Sequence, residues 1–508
     1  MSFDPISTPL GFIRGNDAPT QTPVDVPSTA PVQFVPAPTP VVPTPFVPTP
    51  TIQYRQLRKL MKTTISTEVP TPVMVPTPAA PPGARVLIWK QDPTVGELGV
   101  RKAYIHSPVA AGPKDTRIGI QGVPPVTPNI LGDFIQTPGT PEFDAVHTFA
   151  IVRQALTMFE RALSRPDSLV QVPWQWNRNG NTDPLLVFPR HSNMINAFYS
   201  RQQKTLAFGF FNKPNTPPTS PLIFTCRSLD IVAHETGHAI LDALKPGWLA
   251  FNASPQTGGL HESFGDLTAI FLALSQMDQV EALIAHTKAN LHEKQFLADL
   301  AEEFGLALGR PNGLRNADND LTLTEVGTEV HAISQVFTGG IYDVLADIFE
   351  FERRPTMKDD AAVLYDAGQY VFSLVLRAIL AAPAQNATYA DVVNQMLRIA
   401  NDDGQPVEYR NFIRNRFVLR KVVASPTSFM ENLEAGMTLQ PDPDVQYPAG
   451  VPQIRIRCCG TMQAPEFTGG QAAMDAEVAG LQQGFNAFHA TLDRLAQGNG
   501  ARRAVGKE

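Results

Sequence analysis

The chain has 508 residues with 48 acidic against 41 basic side chains, a formal net charge of −7 and a pI near 5.8. That length leaves room for two or more domains, and that charge balance excludes a general nucleic-acid binder, whose footprint is basic. Its three cysteines, Cys226, Cys458 and Cys459, contain no Cys-x-x-Cys spacing, which excludes a disulfide framework and a thiolate zinc site.

Residues 1–84 read as a disordered, proline-rich leader. Residues 1–85 hold 19 of the 47 prolines, and Val-Pro-Thr-Pro recurs from Val42, Val47, Val69 and Val75. Proline fixes φ and removes amide donors, so an extended, partly polyproline II segment without a core is expected. A spacer is the first reading of such composition; docking to a partner or export is the competing one. The first residues carry no basic region followed by an apolar core, so no secretory signal is read, and either a cytoplasmic location or export by a signal-independent route is expected. No run of about 18 uncharged apolar residues reads as a membrane span.

From Arg85 the pattern changes. Residues 86–89 and 117–120 read as strands, and 144–163 carry apolar side chains at helical spacing. Strand-like segments follow over 185–199, 205–209 and 221–225, with a turn at 200–203. His147 and His191 receive no chemical role, and Cys226 is expected to be buried and inert.

The segment 230–240 contains His234-Glu235-x-x-His238. On a helix, a four-residue spacing puts both imidazoles on one face, one turn apart, where they can grip one Zn²⁺ while Glu235 reaches a metal-bound water. Downstream, Glu262 offers a third ligand and Asp266 lies one helical turn beyond it. A catalytic zinc takes three protein ligands and one open position, so His234, His238 and Glu262 complete a set. Asp266 can accept the second ring N–H of a ligand histidine and fix its orientation.

These two strings, His-Glu-x-x-His followed by Glu-x-x-x-Asp, resemble the thermolysin family of zinc endopeptidases, within the gluzincin group. The resemblance covers about residues 140–425. It implies an α+β, two-lobed thermolysin-like fold, with one Zn²⁺ per chain and Glu235 as the base that takes a proton from the attacking water. It assigns His331, in Val-His-x-x-Ser, as the donor to the oxyanion, with Tyr342 matching further on. The family orients this histidine with an aspartate whose place is taken here by Val326, and Glu325 or Glu329 is the expected substitute. The Asn-Ala-Phe string makes Asn196 and Ala197 substrate-binding positions on an edge strand, and Arg315 the residue that grips a substrate carbonyl, with a surface salt bridge as its other reading. Leu314 and Ile231 would line an apolar pocket beyond the scissile bond. The family's tyrosine between the metal helix and the third ligand is missing from 241–260, which holds Trp248 instead. Asp230 matches one ligand of the family's double calcium site, but Ala273 replaces another, so no calcium is expected there and Asp230 is read as a helix cap.

Residues 263–425 read as helical, over 267–274, 279–304, 332–351, 360–380, 388–401 and 408–422. Beyond 425 a strand over 453–457 and a helix over 470–497 are expected. The domain reading is a leader (1–84), an N-terminal catalytic lobe with the metal helix (85–252), a helical C-terminal lobe (253–425) and an extension (426–508). The function expected is zinc-dependent endopeptidase, a metalloprotease acting on a peptide or protein substrate. The rival is a catalytically inactive zincin-fold interaction protein presenting the proline-rich segment.

Overall fold

The computed structural model describes residues 83–165, 168–214, 216–250, 253–309, 313–425, 438–445 and 490. The proline-rich leader and the vicinal Cys458 and Cys459 lie outside them. So do the strand expected over 453–457 and, apart from the helical Ala490, the helix expected over 470–497.

Strands dominate up to residue 224. β1 (Ala84–Trp89) and β2 (Val100–Ile105) pair antiparallel, with Ala84 opposite Ile105. Ala84, Val86 and Ile88 are buried and alternate with more exposed residues, as the two-residue period of a half-buried strand requires. A four-stranded sheet is ordered β3 (Ile118–Ile120), β4 (Leu185–Phe188), β6 (Thr205–Phe208), β5 (Ala197–Ser200). The first three run parallel, and β5 turns back antiparallel on β6 as the outer strand. The turn between them falls at 201–204, with Lys204 at φ 57° closing it. A hairpin of β7 (Phe210–Asn212) and β8 (Leu222–Phe224) leads into the helical part.

Each helix start has a local cause. α1 (Pro141–Leu163) opens on Thr140, whose hydroxyl accepts the Phe143 N–H at 3.1 Å, with Pro141 in the first turn. α2 (Leu229–Leu244) is buried on nearly every face, the mark of a core helix. α3 (Pro255–Leu274) is capped by Ser254 and begins with Pro255. α4 (Met277–Thr287), α5 (Glu302–Ala307) and the short ladder of β9 (Asp299–Leu300) with β10 (Arg315–Asn316) follow. α6 (Val330–Glu352), α7 (Asp360–Ala381), α8 (Tyr389–Asp402) and α9 (Val407–Leu419) complete nine α-helices among the described residues. α8 starts with a reciprocal box, Thr388 and Asp391 each accepting the other's backbone N–H. The class is α+β, strand-rich before residue 225 and mainly helical after it. α7 is the one described helix long and apolar enough to cross a membrane; it packs against α4, α6 and α8.

Two sequence expectations are corrected. The helix expected over 279–304 stops at Thr287, where Lys288 and Ala289 take left-handed φ values of 53° and 63°. Gln295 then replaces helix bonds with a turn, its Oε1 accepting the N–H groups of Leu297 at 2.6 Å and Ala298 at 3.1 Å. Asp230 is not a helix cap: Ser228 holds that place, and Asp230 lies in the first turn of α2, accepting the Ala301 N–H at 3.2 Å.

Ala301 brings an acidic group with it. Burial, and then Asp92, raises the Asp230 carboxyl well above its usual range. Burial and the same Asp92 push Glu302 and Glu303 up to about 7. Folded carboxyls that hold protons more tightly than unfolded ones stabilise fully below the unfolded value of 4.5, and that contribution is lost as pH rises through about 7. Both glutamates are half-buried, so the expected loss between pH 5 and 8 is discounted to about 1–2 kcal/mol. Urea midpoints across that range should fall less in a Glu302→Gln/Glu303→Gln variant than in the wild type; an equal fall would refute the assignment.

Candidate metal centre

The centre is built where α2 packs against α3, beside Asn196 and Ala197 at the start of β5. His234 and His238 project from one face of α2, and their rings meet edge to face with centroids 4.6 Å apart. One candidate ligand atom from each of His234, Glu235 and His238 lies within 4.8 Å of the others, and all three residues are buried. The group can hold a metal ion. From α3, Glu262 places Oε2 at 3.4 Å from His234 Nε2 and Oε1 at 3.4 Å from His238 Nε2. His331, at the start of α6, brings Nε2 to 3.6 Å from Glu262 Oε2.

Two glycines permit this approach. A Cβ on Gly265 would lie 2.6 Å from His234 Nδ1, and one on Gly237 would lie 2.6 Å from the Thr268 hydroxyl oxygen. Elsewhere a helical Gly→Ala change gains about 1 kcal/mol of propensity. Here Gly265→Ala is expected to push the His234 ring out of line and weaken metal binding by about tenfold or more. Metal titration of the folded variant checks this, and unchanged affinity would contradict it.

The electrostatics follow from burial. Glu262 is fully buried, which alone would raise its carboxyl, but His238, His331 and His234 hold it well below the usual range. His234 is penalised as a cation by burial and by Arg315, yet its bonds to Asp266 and Glu262 raise it to about 10. Burial lowers His238 well below the ordinary imidazole value. His234, raised to about 10, keeps a proton at neutral pH, so a divalent cation would have to displace that proton to gain a lone pair there beside the neutral His238 imidazole and the Glu262 carboxylate.

The rings are held from behind. Asp266 Oδ1 lies 2.9 Å from His234 Nδ1, which places Asp266 where the sequence spacing puts it. The same oxygen receives Arg315 Nη2 at 2.7 Å. Arg315 is only 7% exposed, so the reading of a surface salt bridge is set aside. His238 Nδ1 lies 2.8 Å from Nδ1 of His261, a residue the sequence reading passed over. The available signal was its place directly before Glu262 on the same helix.

His331 is oriented by Glu329. Its Nδ1 lies 2.6 Å from Glu329 Oε1, while Glu329 Oε2 accepts the Ala332 N–H at 2.8 Å. Glu329 is the N-cap of α6, so one carboxylate both starts the helix and holds the imidazole. Glu325 instead accepts from Thr322. Tyr342 is buried with its hydroxyl donating to Leu291 O at 2.6 Å, and Trp248 donates to Pro383 O at 2.8 Å; each serves packing. Cys226 is buried, its thiol raised by burial, and His147 is buried and stacked on Phe143.

Asn196, Ala197 and Arg315 line one small pocket with His234 and Glu235. Asn196 Oδ1 accepts the Ala197 N–H at 2.9 Å. Ile231, Ala269, Leu300, Phe304 and Leu314 make the apolar wall of this pocket, whose free volume is about 30 Å³. A roomier cavity of about 460 Å³ lies between α1, α3 and α7, and it is lined by none of the candidate ligands.

No family model matches the chain, and a search of curated proteins finds no relative.

Proposed function

We propose that this chain is a zinc-dependent metalloendopeptidase of thermolysin-like, two-lobed architecture, with His234, His238 and Glu262 as the zinc ligands. The observation that carries the reading is the pair of 3.4 Å separations from Glu262 to the two Nε2 atoms. Ligands at about 2.0–2.2 Å from a tetrahedral ion stand about 3.3–3.6 Å from one another. Glu235, beside His234 on the same helix, is then left for chemistry. When bound, zinc supplies a water of pKa about 7 and polarises the scissile carbonyl.

The remaining work falls to side chains. Glu235 takes the proton of the attacking water and passes it to the leaving nitrogen. His331 donates from Nε2 to the developing oxyanion, with Glu329 fixing its ring. An extended peptide would pair with the outer strand β5, as in strand addition to a sheet edge, although its four residues are themselves buried. Arg315 steadies Asp266 and stands at the pocket wall. The small apolar pocket favours a compact apolar residue after the scissile bond.

Glu329→Gln keeps the helix cap but removes the charge that holds His331. A lost oxyanion donor costs about 10²–10³ in rate, so a loosened one is expected to lower kcat by about tenfold with KM little changed. Equal kcat would remove Glu329 from the mechanism. The function itself is tested by incubating zinc-loaded protein with casein. Cleavage that a chelator stops and zinc restores is the expected result. A protein with one tightly bound zinc and no cleavage would favour the inactive interaction protein.

A further inference from the structure

The two ligand imidazoles are supported by different chemistry. His234 has a carboxylate behind it. His238 has a second imidazole, with Nδ1 of His261 at 2.8 Å. The rings of His238 and His261 lie 4.9 Å apart at 28°, and the two residues are 0% and 1% exposed. Two ring nitrogens at hydrogen-bond distance must divide the roles: one carries the proton and the other offers a lone pair. His238 faces Glu262 with its other nitrogen, Nε2. A metal there needs a lone pair on Nε2, so the ring proton must sit on Nδ1.

We propose that His261 is the positioning residue that fixes the metal-binding tautomer of His238, accepting the His238 Nδ1–H on its own Nδ1 and carrying its own proton on Nε2. The proposal rests on the zinc reading of the site. The opposite arrangement, with His261 donating, would put a proton on His238 Nε2 and point an N–H at Glu262 in place of a lone pair. His261 thus decides whether the second imidazole of the motif can ligate. His261 Nε2 is buried without a hydrogen-bond partner. What the site requires of this residue is therefore the acceptor at the δ position and not the rest of the ring.

That requirement separates two substitutions. Asn carries an oxygen acceptor on Cγ where His carries Nδ1; Leu carries a methyl group there. Zinc affinity is measured on the full-length chain by competition with a chromophoric chelator. His261→Asn is expected to bind within about threefold of wild type, and His261→Leu about 10–100-fold more weakly. Equal affinity in wild type and both variants, or equal loss in both, would overturn the proposal, the second because volume and not the lone pair would then matter. Long-range ¹H–¹⁵N spectra of the zinc-loaded wild type give a readout that needs no variant: Nδ1–H on His238 and Nε2–H on His261 are expected, and any other pattern overturns it. A wild type that binds no zinc in the same titration would bring down the zinc reading as well, which distinguishes the two failures.

Discussion

Protein carrying Glu235→Gln is expected to load one zinc per chain, as the wild type does, and to cleave casein about 10²–10⁴-fold more slowly. The reason is the division of labour where α2 packs against α3. Glu235 is buried beside His234, near enough to join the metal-binding group. Glu262 is the carboxylate that spans both Nε2 atoms. If Glu262 ligates, Glu235 keeps its oxygens for the proton of the attacking water, and an amide there cannot take that proton. Zinc content by mass spectrometry under native conditions, together with the cleavage rate, reads both halves. A variant that loses its zinc would identify Glu235 as a ligand; one that keeps full activity would remove it from the chemistry.

The second large effect concerns Glu262. Glu262→Gln preserves shape but removes the charge that His234, His238 and His331 surround. Loss of a group supporting a ligand costs about 10–100-fold in metal affinity, so loss of a ligand itself is expected to cost at least about a hundredfold. Binding to the native state alone stabilises it, by about 4 kcal/mol at a thousand times Kd. The melting temperature of the wild type should therefore fall when a chelator is added, while that of Glu262→Gln should start lower and respond little. A chelator response of equal size in both proteins would contradict the ligand assignment.

Much of this site was legible in the residue order, because helical periodicity does not depend on tertiary context. A four-residue spacing already puts His234 and His238 on one face of α2, and the same spacing puts Glu262 and Asp266 on one face of α3, where Asp266 backs His234. The outer position of β5 is what the resemblance carried by the Asn196-Ala197-Phe198 string implies, and the helices α6, α7 and α8 begin and end within about two residues of the apolar pattern that announces them. What sequence left open was decided by three-dimensional contact. Glu325 and Glu329 were equal candidates behind His331 until the start of α6 made Glu329 the cap. His261 had no visible partner until α3 packed against α2. The helix expected through 304 has no Gly or Pro between Thr287 and Phe304 to forbid it; it ends because Lys288 and Ala289 turn left-handed and return their N–H groups to Ile284 O, and further on Gln295 gives the backbone a turn in place of helix bonds. Asp230 was misread for the same kind of reason: its partner, the Ala301 N–H, is 71 residues away.

The most direct test of the account is diffraction from zinc-soaked crystals collected on both sides of the zinc absorption edge. One anomalous peak is predicted, about 2.0–2.2 Å from His234 Nε2, His238 Nε2 and a Glu262 oxygen, with Glu235 outside bonding distance. A peak bonded to Glu235 in place of Glu262, or no peak between the two imidazoles, would contradict it.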